Sequence, residues 1–143
     1  MKELSKDVLA TVLQMQQNEL NESIIYQRIA KFAKGEENKK TLERLAAEER
    51  AHYEIWKSYT GIEMKPKRAK ILKYTWIARI LGFTFAVKLM ERGEELAQDT
   101  YGRLVEEIPE SARIREQEEE HEAALLSMLD EEKLHYVGSM VLG

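Results

Sequence analysis

Residues 46 to 56 read AAEERAHYEIW. They sit inside a stretch from about Asn38 to Tyr59 that has no proline or glycine, reads as a helix, and stops at Thr60-Gly61. Spacing of four then three through that stretch selects Leu42, Leu45, Glu49, His52, Trp56 and Tyr59. An acid and an imidazole therefore occupy the middle of a face that should be apolar, and the same anomaly recurs along the chain.

The first helix is expected over residues 5 to 34, opened by Ser5 as N-cap and closed at Gly35. Its stripe is Val8, Val12, Met15, Glu19, Glu22, Tyr26, Ile29 and Ala33, with two carboxylates in the row. After TGIEMKPKRAK (residues 60 to 70), broken by Pro66, a third helical segment is expected over 71 to 107, with a kink near Gly82. It aligns Phe83, Val87, Met90, Glu94, Ala97, Tyr101, Leu104 and Ile108, and Glu91 lies one turn before Glu94. Pro109 in EIPES separates it from a fourth helix, 111 to 135, whose stripe is Ile114, Glu118, His121, Leu125 and Met128. No strand pattern is present. The expectation is an all-α, four-helix bundle with a crossover between helices 2 and 3.

Each helix thus brings an acid, or an acid and an imidazole, to its inner face. One buried, unpaired carboxylate costs several kcal/mol, about enough to threaten a small domain, and four in one layer call for a compensating cation. The halves repeat one another. Glu19 precedes Tyr26 by the same interval that separates Glu94 from Tyr101, and Glu49-x-x-His52 is echoed by Glu118-x-x-His121. A helix giving one Glu and a helix giving Glu-x-x-His, done twice, is the ligand set of ferritin-like di-iron and di-manganese carboxylate bundles. Residues three apart stack on one helix face, so the carboxylate can bridge two metals while the imidazole binds one. With no cysteine in the chain, thiolate zinc sites and iron-sulfur clusters are excluded, and oxygen donors with one nitrogen per metal suit iron or manganese.

The segments NELNESIIYQRIAKFAK (18 to 34), LAAEERAHYEIWK (45 to 57), MERGEELAQDTYGRL (90 to 104) and EQEEEHEAALL (116 to 126) resemble the rubrerythrin branch of the ferritin-like superfamily across residues 8 to 130. That resemblance implies bridging roles for Glu49 and Glu118, terminal roles for Glu19 and Glu94, and imidazole ligation by His52 and His121. It implies that Glu91 is the additional carboxylate of rubrerythrin-type sites, able to exchange with His52 as an iron ligand on a change of redox state. The cysteine-bearing rubredoxin-like domain common in that family has no counterpart here, so peroxide turnover would need an external electron donor. The ending LHYVGSMVLG (134 to 143) resembles the opening of the first membrane helix in the vacuolar iron transporter family, some members of which carry a rubrerythrin-like domain ahead of the membrane part. Residues 1 to 136 are then expected to form the di-iron domain and 137 to 143 the start of a C-terminal membrane segment.

Function follows as an expectation with rivals. The leading one is capture of ferrous iron and its oxidation by oxygen or hydrogen peroxide, in the service of an attached membrane iron transporter. The others are a non-catalytic iron sensor or delivery module, and a metal-free helical interaction module. With 143 residues, 34% of them charged, and a net charge of -4, the chain is one domain without the basic footprint of a nucleic-acid binder. The N-terminus lacks the apolar core of a signal peptide, so a cytoplasmic setting is expected. A third helix of roughly 50 Å at 1.5 Å per residue would outrun a compact bundle, which favours a homodimer with helix exchange. The basic and apolar stretch KPKRAKILKYTWIARILGF (65 to 83) reads as a packed crossover or as a contact for an anionic membrane surface. Glu22 is open between an accessory ligand and a polar neighbour; Glu116, Glu119, Glu120 and Glu122 read as solvated. Glu132-x-x-His135 is a third copy of the spacing, outside the ligand-bearing stretch, and reads as solvated or as a juncture to the next segment.

Overall fold

The computed structural model describes residues 3 to 91, 96 and 98 to 142, with side chains described at all of these except 84, 91, 126 and 129 to 142. The described residues are helical, without strands. The helices are α1 (Lys6–Phe32), α2 (Glu36–Thr60), α3 (Arg68–Leu81), α4 (Phe83–Glu91), α5 (Gln98–Glu107) and α6 (Glu110–Leu142).

The Ser5 hydroxyl caps α1 by accepting from the Val8 amide at 3.4 Å. At the other end of the first helix pair Gly61 takes the left-handed conformation, φ 68, and its N–H donates to the Lys57 carbonyl at 2.8 Å. A link of three residues turns α1 back on α2, and these two helices make the main packing of the molecule. The following connection is tied to them by side chains. Gln16 donates to the Ile62 carbonyl at 2.7 Å, Gln17 to the Lys65 carbonyl at 3.0 Å, and the Lys67 amide donates to Asn21 Oδ1 at 3.1 Å.

The third segment differs from its expectation. It starts at Arg68 rather than residue 71 and is divided, because Gly82 at φ 94 cannot continue a right-handed helix and separates α3 from α4. Helix α3 packs on α1, α4 on α3 and α6, and α5 on α1 and α6, while α6 also reaches α2. The last helix continues to Leu142, past the expected stop at 135. No helix among the described residues is long and apolar enough to cross a membrane.

Two apolar clusters fill the interior. One gathers Ile25, Ile29, Leu42, Leu45, Leu125 and Met128 with their neighbours. The other gathers Val8, Val12, Trp56, Leu104, Ile108 and Ile114. Along α1, α2 and α6 the stripe residues between those two sets are Glu19 and Glu22, Glu49 and His52, and Glu118 and His121. The core is thus interrupted by a polar layer, and that layer positions the site.

A candidate metal centre

Glu19 on α1, Glu49 and His52 on α2, and Glu118 on α6 each offer one donor atom to a common point, with all four atoms within 4.8 Å of one another. Glu19, Glu49 and His52 are buried and Glu118 is partly so. His52 Nδ1 lies 2.9 Å from Glu118 Oε1 and 3.3 Å from Glu19 Oε2. His121, also buried, adjoins the group through Glu49, its Nδ1 lying 2.8 Å from Glu49 Oε1. The two imidazoles stack with ring centres 5.8 Å apart and planes 21° from parallel.

The electrostatics show how unusual the layer is. Burial, and next the charge of Glu19, push the Glu49 carboxyl well above its ordinary 4.5. Burial alone would lower His52, but hydrogen bonds to Glu118 and Gln117 outweigh it and raise the imidazole above 6.5. Glu118 is held below the ordinary carboxylate value: burial acts to raise it, and the hydrogen bond to His52 overrides that. Glu49 Oε2 is a fully buried oxygen with no hydrogen-bond partner. A buried acceptor left without a donor is costly, and a cation bound by the Glu49 carboxylate through this oxygen would satisfy it. The donor set of carboxylate oxygens and imidazole nitrogens, without sulfur, fits a hard or intermediate divalent ion.

Of the ligands expected from sequence, Glu19, Glu49, His52 and Glu118 come together and His121 stands beside them. Glu94 lies outside the described residues, as does the side chain of Glu91, the last residue of α4; His135 falls among the undescribed side chains. Glu22 is buried and acts on the Glu49 carboxyl as a hydrogen-bonding neighbour. Tyr26 is buried in the larger apolar cluster. Tyr101 lies on the wall of a cavity of about 400 Å³ that it shares with Met15, Leu96, Leu104, Ile114 and Glu118. Through Glu118 this cavity gives the cluster an approach from the surface. Glu116, Glu119, Glu120 and Glu122 are exposed.

Sequence reasoning passed over two residues. His52 Nε2 lies 2.6 Å from Gln117 Oε1, and His121 Nε2 lies 2.5 Å from Glu48 Oε2. Each imidazole is therefore held at its far nitrogen by the residue just before the Glu of the opposite helix. Such contacts fix ring orientation and leave the near nitrogen for a metal. The signal was the repeat itself, which reads Glu48-Glu49-x-x-His52 and Gln117-Glu118-x-x-His121.

Comparison of the chain with protein-family models, with curated proteins and with solved structures finds no match in any of the three.

Proposed function

We propose that the chain is a ferritin-like, rubrerythrin-type four-helix module whose duplicated helix pairs hold two iron ions, with ferrous iron as substrate and oxygen or hydrogen peroxide as oxidant. The observation that carries this reading is the convergence of Glu19, Glu49, His52 and Glu118 within 4.8 Å, in a layer where Glu49 Oε2 has no donor. In this proposal Glu49 and Glu118 would be shared by both ions, Glu19 and Glu94 would each serve one, Glu91 would be the additional carboxylate, and His52 and His121 would each serve one ion. Manganese satisfies the same donors.

Two ferrous ions supply one electron each, enough to reduce one peroxide with two protons to two waters. The chain's part is to bind, orient and exchange protons. Burial favours the protonated form of Glu49 and hydrogen bonds to Glu118 and Gln117 favour that of His52, so metal loading would compete with protons at both. The cavity beside Glu118 gives a small oxidant access without opening the apolar clusters. In a longer protein, such a module would serve an attached membrane iron transporter on the cytoplasmic side.

The test is anaerobic titration with ferrous iron, followed by oxygen or peroxide, watching near-ultraviolet absorbance. Two irons per chain and rapid growth of a ferric band are expected. Tight binding without oxidation would favour a sensor or delivery module. No stoichiometric binding would leave a helical interaction module and overturn the metal reading.

A further inference from the structure

The surface of α3 stands apart from the rest of the molecule. Leu72, Trp76 and Ile80 follow one another at four-residue intervals and form one ridge on the helix, with 52%, 61% and 65% of their surfaces exposed. The opposite side of α3 is already used, since Ile71 and Ala78 are buried against the larger cluster. A helix apolar on two faces has, among the described residues, a second face without a partner.

Charge identifies the partner. Between Glu63 and Glu91 there is no acidic residue, and Lys65, Lys67, Arg68, Lys70, Lys73 and Arg79 fall in that interval, in a chain whose net charge is -4. Helical spacing makes Arg68 the first member of the same row and puts Arg79 along one side of the ridge and Lys73 along the other. Among the described residues none of these three, nor Lys70, pairs with a carboxylate; Lys73 Nζ lies 5.6 Å from the Tyr74 ring centre and the Arg79 guanidinium 5.8 Å from that of Phe32. An isologous contact between two copies through this face would set one unneutralised basic ridge against another, which costs rather than gains energy.

We infer that α3 docks on an anionic lipid surface, with Leu72, Trp76 and Ile80 entering the headgroup boundary and the flanking Lys and Arg side chains meeting lipid phosphates. An exposed tryptophan between cations is the residue type that settles at that depth, and long basic side chains can bury their stems while the charges stay with the headgroups. The inference stands on this face alone and is independent of the metal centre.

The experiment is vesicle sedimentation of the metal-free chain with phosphatidylglycerol-containing and pure phosphatidylcholine vesicles, at low and high salt, with tryptophan emission followed in parallel. Trp56 is fully buried, so an emission change reports Trp76. Binding to the anionic vesicles alone, lost at high salt, with a blue shift of emission, is expected. Lys73→Ala should weaken it about fivefold, the effect of one cation near a charged surface. Trp76→Ser with Ile80→Ser should abolish sedimentation with the anionic vesicles, with helicity unchanged by circular dichroism. Equal binding to neutral vesicles would overturn the inference, as would absence of binding. A dimer dispersed by the Trp76→Ser, Ile80→Ser variant, without vesicle binding, would assign the face to a second copy instead.

Discussion

The two imidazoles of the polar layer have the same local sequence pattern and different surroundings. His52 leans on α6, with Glu118 at its near nitrogen and the neutral amide of Gln117 at its far one. His121 leans on α2, with Glu49 near and the carboxylate of Glu48 far. A carboxylate acceptor polarises an imidazole N–H more strongly than an amide oxygen and makes the other nitrogen the better donor to a metal. The repeat therefore gives its two imidazoles unequal partners, and under the proposed di-metal reading the two positions would not hold metal equally, a difference that traces to one atom type at positions 48 and 117.

The most forceful way to break this comparison is to remove what both halves share. Glu49 contacts His121 directly and belongs to the cluster around His52, so Glu49→Gln should cost both positions, lowering metal affinity by at least about a hundredfold, beyond the range seen when only an outer partner is lost. Because burial and Glu19 already favour the uncharged acid, the metal-free variant should melt at or above the wild-type temperature. Calorimetric titration with ferrous iron or cobalt under anaerobic conditions, paired with thermal melts, checks both halves of that expectation. A variant that keeps wild-type affinity would mean the cluster is not the metal site.

Next in size is the exchange that sharpens the comparison. Glu48→Gln should weaken the tighter metal position by about ten- to a hundredfold and make the halves alike, while Gln117→Glu should strengthen the weaker one by a similar factor. Cobalt absorbance resolves two binding phases in the wild type if the asymmetry is real. Merging of the phases in Glu48→Gln and in Gln117→Glu is the expected result; identical titrations in all three chains would show that the far nitrogens do not tune the site.

Proton linkage gives an intermediate effect. The pKa values of Glu49 and His52 are raised on folding, so each contributes stability fully present below its unfolded value, 4.5 or 6.5, and lost as pH rises through its folded value. Glu118 is lowered and works in the opposite sense: its contribution is present above 4.5 and fades as pH falls through its folded value. The metal-free chain should therefore lose melting temperature as pH rises above about 6.5, by roughly 4 °C for each unit by which His52 is raised. Metal should stabilise more at pH 8 than at pH 6, because it no longer displaces those protons. Melts with and without cobalt across that range provide the check.

The stripes on α1, α2 and α6 were legible because a period of 3.6 in hydrophobicity is a property of the chain alone. Val12, Leu45, Trp56, Ile114 and Leu125 are buried where the spacing put them, and the acids and imidazoles between them lie in one layer. The kink at Gly82 was legible as a glycine, but the full separation of α3 from α4 depends on the positive φ that Gly82 adopts there. Glu48 and Gln117 were not legible as site residues. Each sits one step off its own helix's inward stripe and reaches an imidazole on the facing helix, a relation fixed by how α2 meets α6 rather than by either sequence. Glu91 and Glu94 had the spacing for a second half-site, and the described side chains do not include them.

The smallest effect concerns the tyrosines, which share an offset from Glu19 and Glu94 and so were expected to stand alike beside the metals. Their settings differ. Tyr26 is sealed in the apolar cluster, whereas Tyr101 is partly exposed, with the Arg115 guanidinium 4.2 Å from its ring centre and the cavity beside Glu118 in front of it. Tyr101→Phe keeps the ring under Arg115 and should change stability by no more than about 0.5 kcal/mol. Tyr101→Ala removes that contact and should cost about 1 kcal/mol, with the cavity widened at Glu118. If the ring only packs, both variants bind metal as the wild type does and differ only in melting temperature. If the hydroxyl supports a ligand carboxylate, Tyr101→Phe alone weakens metal binding while leaving the melting temperature of the metal-free chain unchanged, and the two tyrosines are equivalent after all.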